Sequence, residues 1–215
     1  MANNLSDIYT GVNKNDPNRN KNDLYRTPPI ATYLLCKYSN PPKKIVEPCA
    51  GYGNIAVELI RNGHDVTCYD LNPYPESMVP IKTGQSVLDL PKVVGYDGLI
   101  TNPPYNNDIP RLLVEKSVKE YDYTAMLLRL TFLEGVKRKT LFDRYPPTQL
   151  IFFSDRIRFD NNNIEPVEKK DQIGGMVAYM WVIWSKTDDV PSLKWVSMDQ
   201  EYNEWREHYE ARSNS

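Results

Sequence analysis

The sequence is short of the residues that build metal centres and disulfide frameworks. Its three cysteines, Cys36, Cys49 and Cys68, form no Cys-x-x-Cys pair, and its two histidines, His64 and His208, stand far apart. That argues against a zinc site or a disulfide scaffold and leaves the cysteines as small core residues, so no metal is expected. Long apolar runs are missing as well. Nothing approaches the length that crosses a bilayer, and the Asn-rich opening lacks the apolar stretch of a secretory leader, so a cytoplasmic protein without a membrane partner is expected. A strong charge of either sign is also missing. With a formal net charge of -2 over 215 residues, 40% hydrophobic and 25% charged, the chain reads as one soluble globular domain with tails.

Local charge says more than the total. Residues 187–215 hold seven acidic and three basic side chains, an acidic tail whose Trp195, Trp205 and Tyr209 would dock a short helix on the body. Residues 126–170 hold nine basic and six acidic side chains. Within them Lys137, Arg138, Lys139, Arg156, Arg158, Lys169 and Lys170 are candidate phosphate contacts, although a solvated helix face fits Lys137 to Lys139 equally. Residues 1–22 are nearly free of apolar side chains after Val12 and read as a flexible arm. The domain proper is assigned to 23–186.

Apolar runs at 43–47, 65–69, 96–100, 123–128, 149–153 and 176–184 read as strands, with a further short strand at 87–88 closed by Asp89. Helical stretches at 30–35, 55–60, 109–118 and 132–142 alternate with them. This order predicts an α/β fold, a mainly parallel seven-stranded sheet ending in a hairpin and covered by helices on both faces. Residues 154–175 lie inside that hairpin without clear periodicity, which makes them a candidate substrate contact.

Two places carry chemistry. The first is the turn Glu47-Pro48-Cys49-Ala50-Gly51-Tyr52-Gly53 between a strand and a helix, where glycines let a ligand approach backbone N–H groups closely. No third glycine follows at the spacing of dinucleotide enzymes. Asp70 closes the next strand about 20 residues later, placed to accept from two ribose hydroxyls. The second is Asn102-Pro103-Pro104-Tyr105. Two prolines cannot continue a strand ladder, so the chain ends there in a stiff polar hook that offers carbonyl acceptors beside an aromatic ring. Such a site suits a planar group with an NH2, adenine above all.

On these residues the chain resembles the S-adenosylmethionine-dependent amino-methyltransferases with an Asn-Pro-Pro-Tyr motif, in particular the DNA adenine-N6 methyltransferases. The resemblance spans about residues 25–184. It implies the Rossmann-like class I methyltransferase fold, with an antiparallel last strand, and S-adenosylmethionine as cofactor. It implies that Tyr25, Thr27, Pro28 and Glu47 meet the cofactor's methionine end, that Pro48, Gly51 and Gly53 form its turn, and that Asp70, Leu71 and Asp89 meet its adenosine. Asn102 touches both cofactor and acceptor. Asn102 and the Pro103 carbonyl would accept from the N6 amine, with Pro104 stiffening the hook and Tyr105 stacking on the extruded base. The implied partner is nucleic acid, double-stranded DNA first.

No segment has the size of the separate target-recognition region usual in sequence-specific members. A short or relaxed recognition sequence is therefore expected, as in a small phage-like or restriction-modification enzyme. RNA adenine, a protein glutamine side chain, and a non-catalytic cofactor-binding partner of another methyltransferase remain open alternatives.

Overall fold

The computed structural model describes residue 24 and residues 26–157, 177–187 and 191–213. Of the expectations above, the arm at 1–22, Tyr25, Arg158, Lys169, Lys170 and most of the 154–175 insert lie outside the described residues.

Helix α1, Pro29–Tyr38, opens with proline at its first position, where a missing N–H costs no intrahelical bond. It is followed by strand β1, Lys44–Glu47, helix α2, Asn54–Arg61, and strand β2, Asp65–Asp70. Strands β3, Ile81–Thr83, and β4, Gly98–Thr101, precede helix α3, Ile109–Glu120, and strand β5, Tyr123–Arg129. A 3-10 turn, Leu130–Leu133, leads to helix α4, Val136–Arg144, and strand β6, Gln149–Phe153. Strand β7, Tyr179–Ser185, strand β8, Ser192–Val196, and helix α5, Met198–Ser213, complete the order.

The strands form one sheet in the order β3-β2-β1-β4-β5-β7-β6-β8. Strands β3 through β5 run parallel; β7 is antiparallel to both β5 and β6. Among the described residues the sheet has eight strands where seven were expected, because β8 adds in parallel to the outer edge of β6. That strand falls in the acidic segment, where alternation is only two apolar residues long.

Period-two alternation divides the core between the two faces. Ile45, Ile100, Ala125, Leu127, Trp181 and Ile183 pack with α1, α2 and α5. Val46, Leu99, Met126, Leu128, Met180 and Val182 pack with α3 and α4. Trp181 donates its indole N–H to the Ala31 carbonyl at 2.7 Å, which fixes α1 on the sheet. Helix α5 lies along α1 and buries Trp205 to 2% exposure. Lys37 bridges to Glu201 and Glu204, and the Tyr33 hydroxyl donates to Glu204. Trp195 instead stays 68% exposed, stacked on Phe152.

Candidate active site

The strand order reverses direction between β1 and β4, and the open crevice of such a sheet lies beyond the C-terminal ends of its strands at that point. A cavity of about 360 Å³ occupies it. Its walls come from the turn after β1 (Glu47, Pro48, Gly51), the end of β2 (Asp70, Leu71), the hook after β4 (Asn102, Pro104) and Thr27 ahead of α1.

The turn is built for close approach. Gly51 and Gly53 take φ of 55° and 85°, in the left-handed region that favours glycine. A Cβ on Gly51 would come within 2.6 Å of Leu24 Cδ1, and one on Gly53 equally close to Val79 Cγ2. Asp70 organises the loop from below: the Gly51 N–H donates to its Oδ2 and the Asn72 N–H to its Oδ1, both at 2.9 Å. Burial pushes the Asp70 carboxyl up, and backbone N–H groups pull it back toward the ionised form.

Glu47 is 1% exposed, and burial drives its carboxyl well above the usual range, opposed by the Ala56 N–H. Its Oε2 has no hydrogen-bond partner, nor has Asn54 Nδ2 in the same wall. Unpaired buried polar atoms are costly, and here they face a cavity that a polar ligand can enter. Among the described lining residues Arg26 is the one Lys or Arg, and its guanidinium lies 3.9 Å from the centroid of the Tyr52 ring. Burial also pushes the Cys49 thiol up, so it is held protonated rather than as a nucleophile.

At the hook, Asn102 donates from Nδ2 to Thr27 Oγ1 at 3.2 Å. The Tyr105 hydroxyl lies 2.9 Å from Asn102 Oδ1 and 2.7 Å from the Leu127 carbonyl. The amide orientation is thereby set from both sides. Beyond the hook, Asn107 and Asp108 take φ of 50° and 58°, unusual for residues other than glycine.

Several sequence expectations change. Asp89 is exposed and outside the cavity: β3 ends at Thr83, so 87–89 is a turn that aims Val87 inward and Asp89 at solvent. Ser86 and Val87 supply the wall there. Pro28 caps α1, Pro103 is buried in the hook and Gly53 shapes the turn, so these three support the wall without lining it. Tyr105 is not an open platform, since the Arg129 guanidinium covers its ring at 4.6 Å. Of the basic candidates, Arg138 pairs with Asp108 and Lys139 with Asp143; Lys137 and Arg156 are exposed. Arg26, Tyr52, Asn54 and Tyr74 had escaped notice. Arg26 and Tyr52 were the variable letters of Tyr-x-Thr-Pro and Gly-x-Gly, the one signal that pointed to them.

No family model matches the sequence, and no curated protein does. Solved structures do match. A Listeria monocytogenes protein assigned to the class I S-adenosylmethionine-dependent methyltransferases aligns with a TM-score of 0.58 at 13% identity, over 88% of this chain and 73% of its own. The fold is that of the class I methyltransferases. The methyltransferase subunit of a type I restriction-modification system from Streptococcus thermophilus has the same fold (TM-score 0.52, 14% identity, 87% of this chain). This chain spans only 53% of that subunit's length. A Pyrococcus horikoshii protein assigned as an RNA methyltransferase gives a TM-score of 0.52 at 17% identity, over 83% of this chain and 95% of its own. In the class I fold, β8 is an addition beyond the seven strands.

Proposed function

We propose that this chain transfers a methyl group from S-adenosylmethionine to the exocyclic N6 amine of adenine in DNA. The observation that carries the reading is the Asn102 amide, held by Thr27 and Tyr105 in the wall of a cavity that Asp70 and Glu47 also line. The cavity suits the cofactor: its volume lies in the range of small-molecule sites, its glycine turn leaves no room for a Cβ, and the orphaned Glu47 Oε2 and Asn54 Nδ2 await polar partners. Asp70 and Leu71 would hold the adenosine; Glu47, Asn54 and Thr27 would meet the amino-acid end.

When bound, the cofactor supplies an electrophilic methyl group on a sulfonium sulfur. The chain's part is to present the amine. Asn102 Oδ1 and the Pro103 carbonyl would accept its two hydrogens, drawing the nitrogen lone pair out of ring conjugation so that it could form the new N–C bond as the methyl–sulfur bond breaks, S-adenosylhomocysteine leaving and one amine proton passing to solvent. Tyr105 has one hydroxyl hydrogen for two acceptors. It can stay on the Leu127 carbonyl while Asn102 Oδ1 turns to the substrate, so no buried group is stranded. Positioning and stabilisation of charge on the nitrogen supply the rate.

The likeness to a restriction-modification subunit supports DNA; the likeness to an RNA methyltransferase makes RNA the acceptor to test beside it. Tritiated methyl transfer to unmethylated duplex DNA, RNA and a glutamine-containing protein, with Asn102→Ala as control, tests the reading. Labelled N6-methyladenine in DNA, lost in the variant, is expected. Label in RNA or protein would move the acceptor, and no label despite cofactor binding would favour a non-catalytic partner. The recognition sequence is expected to be short or relaxed, which a digest of methylated DNA showing a long strict site would contradict.

A further inference from the structure

The C-terminal end of β5 carries a cation to which methyl transfer assigns no task. Arg129 closes that strand opposite Tyr179 of β7, one strand over from the hook after β4. Its guanidinium carbon lies 4.6 Å from the centroid of the Tyr105 ring. Among the described residues its Nε is buried without a hydrogen-bond partner, and it enters no ion pair. The ring it covers is fixed in place, because the Tyr105 hydroxyl contacts both Asn102 and the Leu127 carbonyl. Whatever rests on that face lies beside Asn102.

A guanidinium is planar, delocalised and weakly hydrated, and it stacks on aromatic faces. A purine makes the same demands of a ring. An arginine held by a ring and by no carboxylate is also free to exchange that contact for another. We propose that Arg129 is a place-holder for the target base. It covers Tyr105 in the free protein, yields the face when the base arrives, and then pairs through its released guanidinium with a phosphate of the acceptor strand. The inference rests on the nucleic-acid reading above, and it makes Arg129 a positioning residue that contacts the acceptor's backbone.

Salt dependence separates this role from a structural one, because each phosphate contact contributes to the slope of log affinity against log salt. The experiment measures binding of a short mixed-sequence single-stranded oligonucleotide over a series of sodium chloride concentrations for wild type, Arg129→Gln and Arg129→Lys. Binding of S-adenosylhomocysteine reports intact folding. The glutamine variant keeps a planar head group without charge, and its slope should be shallower by about 0.7, with KM for DNA raised about tenfold and kcat little changed. The lysine variant should keep the wild-type slope. If glutamine does not preserve S-adenosylhomocysteine binding, Arg129→Met, which keeps the aliphatic stem, takes its place. A wild-type slope in the uncharged variant, with only a lower melting temperature, overturns the proposal and leaves the methyl-transfer reading standing. Wild-type protein that binds S-adenosylhomocysteine but no nucleic acid overturns the acceptor reading, and this inference with it.

Discussion

Asp70→Asn tests the cavity at its most constrained point. The carboxylate accepts from the Gly51 and Asn72 N–H groups, one at each oxygen. An asparagine keeps the shape but carries only one acceptor oxygen, so its NH2 must face one of those backbone donors. One buried N–H then loses its partner, at a cost of about 1–3 kcal/mol. For a chain of this size that lowers the melting temperature by roughly 2–4 °C per kcal/mol. Cofactor binding loses more than geometry, because hydrogen bonds from ribose hydroxyls to a charged acceptor contribute about 1.5–3 kcal/mol. The dissociation constant for S-adenosylhomocysteine, measured by titration calorimetry, should therefore rise roughly 10- to 150-fold. Thermal melting without ligand gives the stability term separately. A variant that melts a few degrees lower yet binds S-adenosylhomocysteine as tightly as wild type would refute the assignment of this cavity to the cofactor.

Thr27→Val removes the oxygen that takes the Asn102 Nδ2 hydrogen; loss of about 1–1.5 kcal/mol of orientation should lower kcat roughly five- to tenfold, read from initial rates at saturating S-adenosylmethionine. Glu58 is buried with its carboxyl pushed up to about 7, chiefly by desolvation, against Arg61 and Asn62. The folded protein thus holds this proton to higher pH than the unfolded chain does, so stability should fall as pH rises from about 4.5 to 7 and level off above, by a total on the order of 3 kcal/mol. In denaturant titrations across that window Glu58→Gln should flatten the decline; an unchanged slope would assign the decline to another group. Gly53→Ala places a Cβ at positive φ and 2.6 Å from Val79 Cγ2, so a loss of at least about 1–2 kcal/mol is expected, read as a lower melting temperature and weaker S-adenosylhomocysteine binding.

Glu47, Asp70 and Asn102, which the structure brings to one cavity, were candidates in the sequence because the first two end strands and the third follows one, and strand ends are marked by local signals. A glycine turn follows the first, a break in apolar alternation marks the second, and two prolines follow the third. The same locality explains why the 149–153 strand was placed residue for residue. Asp89 was misplaced for the complementary reason: β3 is three residues long with little burial, so no periodicity distinguishes it from the turn that follows.

Contacts between distant segments were decided only by the tertiary structure. Thr27 and Asn102 lie 75 positions apart and meet because α1 packs on the sheet through Trp181 and Ala31. The closure of the Tyr105 face by Arg129 depends on the pairing of β4 with β5, which no local pattern encodes. The acidic segment became a strand and a helix through long-range partners, β6 for Ser192–Val196 and α1 for Glu201 and Glu204. Residue types along the chain determined which chemistry this protein carries, since donors, acceptors and turn formers are local properties. Which of those groups face one another, and which are covered, was determined by packing.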